Sequence, residues 1–450
     1  MNFAYENFDK STIAAIATPV GNGSVAIIRI SGPKALGILK IIFSNPKIET
    51  HRATYGKIHD GLIVLDHVLV LYFKAPKSFT GQDVVEIHCH GGHFLQQRIL
   101  DLVLQKGAKM AKPGEFSYRA YLNDKMDLVQ AEAIQQLIFS KSEAARKVSE
   151  QQLTGFLSKK IKNFQKQLID IYALLEAWVD FPEEDLEFRS FKNVIEELEE
   201  IKNEMTGLLN TFDEGQKLFS GIQLALLGPP NAGKSSLLNL LLKKERAIVS
   251  EIPGTTRDFL QEECVLFGYP IQLIDTAGMR ASKDALENLG IDKSKSIAKT
   301  VDLNVVVLDI SQKLEHSFLS FLNTLDPKKT CIVWNKCDLT DCIPMDLAFP
   351  SVMISCKTKA NIEGLLEALK PHFALPDKEE VFLTNRRHFE ALKHAKESLR
   401  AVIRGLQQKV SAEFVCFDVK KALEFLSEII GQNIQKELLD SIFSQFCLGK

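Results

Sequence analysis

Residues 222–242 read IQLALLGPPNAGKSSLLNLLL, and this stretch decides the fold of the segment around it. The apolar strand IQLALL runs into Gly228-Pro-Pro-Asn-Ala-Gly-Lys-Ser235, which matches the phosphate-binding pattern G-x-x-x-x-G-K-[ST]. Gly228 and Gly233 let the backbone wrap closely around a phosphate, and the helix that follows directs its N-terminal dipole at the same anion. We expect Lys234 to reach the β- and γ-phosphates and the Ser235 hydroxyl to bind Mg²⁺. The stretch therefore predicts a nucleotide site between a strand and a helix.

Three further motifs specify a guanine nucleotide. Asp275-Thr-Ala-Gly278 follows the strand IQLI, Asn335-Lys336-Cys337-Asp338 follows TCIVW, and Ser355-Cys356-Lys357 follows SVMI. We expect Asp275 to reach Mg²⁺ through water and Gly278 to sense the γ-phosphate. The Asp338 carboxylate can accept two hydrogen bonds from guanine N–H groups that adenine lacks, and Ser355-Cys356-Lys357 can cap the guanine carbonyl. Because every motif follows a strand in the order expected for a parallel sheet, the sequence predicts GTP as the ligand.

The segment between the first two motifs has the character of a nucleotide-sensing loop. Residues 254–258 read GTTRD, and we expect Thr256 to add a second hydroxyl to Mg²⁺ when the γ-phosphate is present. Gly278 is followed by Met279, whose thioether cannot orient an attacking water, so that a carboxylate must do so. Asp284 and Glu287 are the candidates that the following segment offers. The predicted nucleotide contacts are Asn231, Ala232, Gly233, Lys234, Ser235, Ser236, Thr256, Asp275, Thr276, Ala277, Gly278, Asn335, Lys336, Asp338, Ser355, Cys356 and Lys357.

The pattern of apolar residues divides the chain into four segments. Residues 1–122 alternate short strands with helices, which indicates an α/β domain. Residues 123–218 and 377–450 have apolar residues at helical spacing, whereas strands and helices alternate over 219–376, as in a doubly wound parallel sheet. We therefore predict that the two helical segments form one domain into which the nucleotide domain is inserted. Two independent helical bundles are the alternative.

Composition sets the broad class of the chain. A chain of 450 residues should divide into two to four domains, and a net charge of −2 creates no global basic field that would indicate nucleic acid. The first ten residues, MNFAYENFDK, lack the pattern of a secretory signal, and no apolar run is long enough to span a membrane. The eight cysteines are scattered without a CxxC pair, which is typical of reduced thiols in a cytoplasmic protein.

Two histidines present an alternative that we weigh against these motifs. His88 and His90 lie on one face of a predicted strand, which would allow a zinc site. No second cluster in the sequence supplies the remaining ligands, so that we expect no zinc there.

Beyond the nucleotide motifs, four segments carry a family resemblance. They are residues 12–32 (TIAAIATPVGNGSVAIIRISG), residues 78–92 (SFTGQDVVEIHCHGG), residues 111–134 (AKPGEFSYRAYLNDKMDLVQAEAI) and the terminal Cys447-Leu-Gly-Lys450. With GPPNAGKSS, GTTRD and DTAGMR, they make the chain similar to the MnmE (TrmE) family of bacterial tRNA-modification GTPases over nearly its whole length. The resemblance implies an N-terminal α/β folate-binding domain, a helical domain and an inserted Ras-like GTPase domain.

The resemblance also implies how GTP is hydrolysed. Members of this family form homodimers whose nucleotide domains meet across a potassium ion, which replaces an arginine finger. The potassium ligands implied by similarity are Asn231, Ser250, Ile252 and Thr255, of which Ser250 and Thr255 also join the nucleotide contacts. Glu287 matches the water-orienting glutamate of the family and, with Lys234, is implied to be catalytic.

A second set of residues is implied by the resemblance to bind 5-formyl-tetrahydrofolate or a related tetrahydrofolate. These residues are Arg29, Glu86, Lys125 and the terminal Lys450, and Cys447 matches a C-terminal cysteine with an implied catalytic role. With the flavoprotein MnmG, as a heterotetramer, the family modifies carbon 5 of the tRNA wobble uridine with an aminomethyl or carboxymethylaminomethyl group. The alternative function is that of a ribosome-assembly GTPase that acts as an RNA-binding switch. Its weakness is that such a factor is expected to carry a basic RNA-binding module.

Overall fold

The computed structural model describes residues 11–19, 21–180, 191–244, 262–275, 296–340, 345–373, 381–408 and 410–449. The chain divides into two compact units. Unit 1 comprises Met1–Gln135, Gln152–Lys202 and Ala391–Lys450, and unit 2 comprises Gln136–Gln151 and Asn203–Glu390.

Helices account for much of the described chain. In chain order they are α1 Ala35–Ile42, α2 His93–Gln105, α3 Glu115–Leu122, α4 Leu128–Ile138, α5 Glu143–Leu153, α6 Phe156–Asp180, α7 Phe191–Asn210, α8 Phe212–Ser220, α9 Lys234–Lys244, α10 His316–Leu322, α11 Ile362–Leu369, α12 Arg386–Gln407, α13 Ala412–Ile430 and α14 Lys436–Ser444. In the part of the chain that the structure describes, none of the helices is long and apolar enough to cross a membrane.

Unit 1 contains a six-stranded sheet with the strand order β3-β4-β5-β2-β1-β6. Its strands are β1 Ile13–Ile16, β2 Val25–Ser31, β3 Ala53–Asp60, β4 Ile63–Phe73, β5 Val84–His90 and β6 Lys109–Met110. Neighbouring strands are antiparallel except for β1 and β6, which are parallel. The apolar runs SVAIIRI, LIVLDHVLVLYF and DVVEIHCH form β2, β4 and β5, so that the predicted α/β character of the N-terminal segment is confirmed.

Side chains along β2 point alternately to the two faces of this sheet, which differ in character. Ala26, Ile28 and Ile30 are buried in one core with apolar residues of α1 and α2. Because successive side chains of a strand point to opposite faces, Arg29 lies on the other face, between these apolar residues in sequence but not in space. The sequence thus places a charged residue at the centre of the sheet without burying it in the core.

The helical segments before and after the nucleotide motifs belong together. Helix α6 packs along α13 within unit 1, and Gln165 Nε2 of α6 donates a hydrogen bond to Ser427 Oγ of α13 at 2.9 Å. The prediction that the nucleotide domain is inserted into one helical domain is therefore confirmed, and the alternative of two independent bundles is wrong.

Unit 2 contains a six-stranded sheet with the strand order β12-β11-β10-β7-β9-β8. The strands are β7 Ile222–Leu227, β8 Glu262–Leu266, β9 Tyr269–Asp275, β10 Leu303–Asp309, β11 Thr330–Asn335 and β12 Ser351–Met353. All neighbouring pairs are parallel except β8 and β9. The predicted doubly wound parallel sheet is confirmed, with one antiparallel strand at its edge.

Both faces of this sheet are covered, as expected for parallel strands. Leu224, Leu226 and Val305 are buried in a core that includes α9 and α11. Ala225 and Val306 are buried in the core on the opposite face, which includes α10. Since both faces are apolar, polar side chains of these strands collect at the strand ends.

Unit 2 also includes residues from outside the alternating segment. Ala145 and Val148 of α5 are buried in the same core as β7, and Gln136 Nε2 donates to Thr384 Oγ1 at 2.9 Å. The predicted domain limits after residues 122, 218 and 376 remain predictions. The two compact units show which residues pack together, and this does not show which segments fold independently.

Candidate functional site

The loop between β7 and α9 has the backbone shape that its glycines predict. Gly228 has φ +136°, and a Cβ atom there would lie 2.1 Å from the Val307 carbonyl oxygen. Gly233 has φ +102°, and its Cβ would lie 2.1 Å from Asn335 Nδ2. Both positions therefore require glycine, because left-handed backbone and close neighbours exclude any side chain.

Lys234 is held at the mouth of this loop. Its side chain is 8% exposed, and its Nζ atom donates hydrogen bonds to the carbonyl oxygens of Gly228 at 2.7 Å and Pro229 at 2.8 Å. A desolvated ammonium group at the N-terminus of a helix adds to the positive potential of the dipole. The loop thereby presents a cation where a phosphate would bind.

Four other predicted residues line the same turn. Asn231 is exposed and has φ +61°, while Ala232 is buried beneath the loop. Ser235 and Ser236 are exposed in the first turn of α9. Their hydroxyl groups are therefore accessible to a ligand or an ion that approaches the helix N-terminus.

Asn335 joins three of the predicted loops. It ends β11, is 2% exposed, and donates from Nδ2 to the Ala232 carbonyl oxygen at 2.8 Å. Its Oδ1 atom accepts a hydrogen bond from the backbone N–H of Cys356 at 3.0 Å. The side chain that the sequence predicted as a nucleotide contact is thus engaged in fixing the phosphate loop against the two loops that follow β11 and β12.

The predicted guanine-reading carboxylate is oriented by a buried serine. Asp338 is exposed, and its Oδ1 atom accepts a hydrogen bond from Ser355 Oγ at 2.6 Å. Ser355 is fully buried and its Oγ also accepts from the Thr358 N–H at 3.1 Å. The second carboxylate oxygen of Asp338 has no protein partner among these bonds, so that the group faces solvent in a defined orientation. Lys357 next to this turn is exposed.

A carboxylate that the motifs did not identify lies beside Lys336. Asp309 ends β10, and its Oδ2 atom is 2.6 Å from Lys336 Nζ. Its Oδ1 accepts from Ser311 N at 3.0 Å and from Ser311 Oγ at 2.6 Å. Burial opposes ionisation, but these bonds outweigh it and hold the pKa of Asp309 below its ordinary value. The signal in the sequence was a charged residue at the end of the buried run LNVVVLD.

The magnesium and switch residues are only partly within the described chain. Asp275 is the last residue of β9 and pairs with Leu226 of β7, which places it at the same edge of the sheet as the phosphate loop. The following predicted residues lie outside the described residues: Ser250, Ile252, Thr255, Thr256, Thr276, Ala277, Gly278 and Glu287.

The residues of the second predicted site lie on the face of the unit 1 sheet opposite the core with α1 and α2. Arg29 of β2 lies opposite Glu86 of β5, and its Nε donates to Glu86 Oε1 at 2.9 Å. The Arg29 guanidinium also donates from NH1 to the Gly449 carbonyl oxygen at 3.0 Å and lies 5.8 Å and 5.7 Å from the ring centres of Phe79 and Phe116. Two of the four predicted folate residues are therefore in direct contact.

Neighbouring polar residues extend this site beyond the predicted set. His88 Nε2 lies 3.5 Å from Glu86 Oε2, on the same face of β5. In the part of the chain that the structure describes, no group of three potential metal ligands is present. The spacing that drew attention to His88 also places it beside Glu86.

Two of the remaining predicted residues, Lys125 and Cys447, lie near the same site. Lys125 is exposed, and its Nζ donates to the Pro76 carbonyl oxygen at 3.0 Å, within the loop that also supplies Phe79. Cys447 is half-buried, and its carbonyl oxygen accepts from the Gly114 N–H at 3.3 Å. Lys450 lies outside the described residues.

Comparison with known proteins identifies the family of the chain. A family model described as "GTP-binding protein TrmE N-terminus" matches residues 12–125, and one described as "MnmE helical domain" matches residues 128–447. The tRNA modification GTPase MnmE of Protochlamydia amoebophila (strain UWE25) is 46% identical over 458 residues, with 100% of both chains covered. The proteins of the same name from Alkaliphilus metalliredigens (strain QYMF) and Clostridioides difficile (strain 630) are 41% and 39% identical, each over 98% of this chain and 100% of its own. The predicted family and the predicted GTPase class of enzyme are confirmed: this chain belongs to the MnmE family of tRNA modification GTPases.

Proposed function

We propose that this chain is a potassium-dependent GTPase that acts with the flavoprotein MnmG on carbon 5 of the tRNA wobble uridine. A tetrahydrofolate such as 5-formyl-tetrahydrofolate supplies the one-carbon unit, and an aminomethyl or carboxymethylaminomethyl group is installed. The observation that carries the proposal is the presence, in one chain, of a guanine-nucleotide loop set and of the largely buried Arg29–Glu86 pair on the unit 1 sheet.

At the nucleotide site, each role follows from the chemistry of a side chain. Lys234 neutralises the phosphates, and Ser235 with Thr256 supplies hydroxyl ligands to Mg²⁺, an ion that prefers oxygen donors. The exposure of Ser235 at the start of α9 fits this role. Asp338 accepts the two guanine N–H hydrogen bonds in the orientation that Ser355 imposes.

Potassium would be held by Asn231 and by the loop with Ser250, Ile252 and Thr255. The exposed side chain of Asn231 offers an amide oxygen beside the phosphate loop, which fits a hard cation. A cation held there would stabilise the negative charge that develops during phosphoryl transfer, and Glu287 would orient the attacking water. The Ala variant of Glu287 should bind GTP and fail to hydrolyse it.

At the folate site, the donors and acceptors match the two ends of the cofactor. The Arg29 and Lys125 cations suit the glutamate carboxylates, whereas the Glu86 carboxylate suits the N–H edge of the pterin ring. Phe79 beside Arg29 is 36% exposed and provides aromatic surface of the kind on which a flat heterocycle packs. Lys450 and Cys447 complete the site from the C-terminal end, with Cys447 as the catalytic candidate.

An exposed apolar surface on unit 1 supports the homodimer. Tyr55, Leu69 and Val25 are 62%, 48% and 56% exposed, and the strand register puts them on the same sheet face as Arg29 and His88. Burial of such a face against a second copy removes apolar area from water.

We place the protein in the cytoplasm, together with its tRNA and its flavoprotein partner. We also retain the domain limits 1–122, 123–218, 219–376 and 377–450.

The test is reconstitution of the modification reaction. The purified chain, the flavoprotein, GTP, a tetrahydrofolate and unmodified tRNA are combined, and the wobble nucleoside is identified by mass spectrometry. A mass increase at carbon 5 that requires both GTP and folate supports the proposal. GTP hydrolysis with tRNA unchanged under all these conditions would favour the alternative of a ribosome-assembly switch.

A further inference from the structure

Asp309 is a buried carboxylate at the nucleotide site for which the motifs provide no role. Its side chain is 6% exposed, and it binds Lys336 Nζ through Oδ2 and Ser311 through Oδ1. Burying a carboxylate is costly unless it is paired and hydrogen-bonded, and here both oxygens are used. This pairing indicates that the position of the Lys336 ammonium group, which Asp309 fixes, matters for the nucleotide site.

Lys336 is close enough in sequence to Asp338 to compete with guanine for its carboxylate, and the bond to Asp309 prevents this competition. Lys336 lies two residues before Asp338, in a backbone conformation with φ +67° that turns the chain sharply. Its flexible side chain carries a cation that could pair with the Asp338 carboxylate. Such a pair would occupy the acceptor that guanine needs, because a charge-assisted hydrogen bond from an ammonium competes directly with a neutral N–H donor.

Strand register gives the carboxylates of Asp309 and Asp338 different partners. Asp309 and Asn335 are paired at the ends of the parallel strands β10 and β11, so that the Lys336 side chain reaches back across the strand ends to Asp309. Asp338 is held on the other side of the same turn by Ser355, which lies at the start of the turn after β12. The ammonium group and the guanine-reading carboxylate are therefore anchored to different strands.

We infer that Asp309 is a positioning residue that holds the Lys336 ammonium away from Asp338 and so leaves this carboxylate free to accept hydrogen bonds from guanine. The inference rests on the proposed guanine-reading role of Asp338. It explains why a buried carboxylate is paired with the half-buried Lys336 at the rim of the nucleotide site, and it makes base selectivity depend on a residue that does not touch the base.

The experiment compares the affinities of GTP and ITP, measured by displacement of a fluorescent GDP analogue from the full-length chain. Hypoxanthine lacks the 2-amino group of guanine, so that the GTP-to-ITP ratio reports how well Asp338 accepts its second hydrogen bond. In the Asp309→Asn variant the carboxamide can still bond to Ser311 but no longer neutralises Lys336. We expect the ratio to fall roughly tenfold, the size of one charge-assisted hydrogen bond.

A double variant separates positioning from simple damage. Lys336→Met keeps an unbranched apolar side chain and removes the ammonium, so that adding it to Asp309→Asn should restore most of the GTP-to-ITP ratio. Loss of selectivity through a distorted loop would not be rescued by a second substitution in the same loop. An unchanged ratio in Asp309→Asn, or a reduced ratio that Lys336→Met leaves reduced, overturns the inference.

Two further variants complete the design. Asp302 precedes the other end of β10, where it lies 3.7 Å from Lys217 and accepts from the Gln223 N–H at 3.0 Å, and Asp302→Asn should leave the ratio unchanged. Asp338→Asn tests the proposed function itself. If Asp338→Asn retains full selectivity, the guanine-reading role fails. If it loses selectivity while Asp309→Asn keeps it, only the positioning role fails.

Discussion

At the scale of single residues, the nucleotide site depends on positions where nothing larger than hydrogen fits. Gly228 approaches the Val307 carbonyl of the neighbouring strand, and Gly233 approaches the side chain of Asn335. Asn335 in turn bonds to two loops, which couples the shape of the phosphate loop to that of the loop after β12. The sequence motif specified these residue types, and the structure shows that they also pack against each other.

We expect Gly228→Ala to abolish tight GTP binding and to destabilise the protein by about 2 kcal/mol or more, because the new Cβ meets backbone at a positive φ. Isothermal titration with GTP and thermal unfolding measure the two effects. Gly207→Ala is the matched control, since Gly207 lies in α7 with nothing near its Cβ position. It should stabilise the helix by about 0.5–1 kcal/mol and leave GTP binding intact. Equal loss of binding in both variants would contradict the packing argument.

The thiol of Cys356 should be unreactive although it lies in the guanine-capping turn. Burial raises its pKa to about 11. Since the thiolate is the reactive form, alkylation by iodoacetamide should be slow at pH 7 and accelerate as the pH rises toward 11. Peptide mapping by mass spectrometry follows the reaction, and the urea-unfolded chain is the control in which the thiol regains its ordinary reactivity. Rapid alkylation of folded protein at pH 7 would show that burial does not protect the group.

At the scale of elements, strand ends position the polar side chains of the nucleotide site, whereas Arg29 and Glu86 of the second predicted site lie within β2 and β5. Apolar runs were sufficient to predict the antiparallel strands β2, β4 and β5 and, in the nucleotide domain, the parallel strands β7, β9, β11 and β12, because a buried parallel strand has a recognisable composition. Asp309 escaped prediction since a carboxylate after an apolar strand has no motif of its own, and only the register of β10 with β11 brings it to Lys336. The contact of Gly449 with Arg29 joins residues 420 positions apart and could not be inferred from either segment alone.

The packing of the C-terminal tail against β1 and Arg29 can be tested. Gly449 has φ +87°, and a Cβ there would lie 2.5 Å from the Ile16 carbonyl oxygen of β1. Gly449→Ala should displace the carbonyl that accepts from Arg29 and weaken tetrahydrofolate binding by roughly tenfold, the effect of one charge-assisted hydrogen bond. Fluorescence titration with 5-formyl-tetrahydrofolate measures the change. Gly37→Ala in α1, where nothing lies near the Cβ position, should bind folate normally; a parallel loss in that control would refute the tail's role.

At the scale of the whole molecule, the order of segments along the chain differs from their grouping in space. Helices from both sides of the nucleotide motifs pack in unit 1, which the return of helical spacing after residue 377 predicted. The membership of α5 and of residues 381–390 in unit 2 was not predictable, since amphipathic helices have the same pattern whichever apolar surface covers them.

This grouping predicts the stability of excised fragments. The core of unit 2 contains Leu218 and Phe382, which are 0% and 2% exposed. A fragment of residues 219–376 lacks both side chains and should be several kcal/mol less stable than one of residues 203–390, given losses of about 2–5 kcal/mol for each large buried group. Urea unfolding of the two fragments provides the comparison. Equal stability would mean that these flanking residues add nothing to the fold of the nucleotide domain.

The most direct test of the whole account is the rate of GTP hydrolysis by the purified chain in potassium buffer and in sodium buffer of equal ionic strength. We predict fast turnover with potassium, slow turnover with sodium, and a dimer by light scattering when a transition-state analogue is bound in potassium. The same rate in both buffers, with the chain remaining monomeric, would contradict the roles proposed for Asn231 and for the loop that contains Thr255.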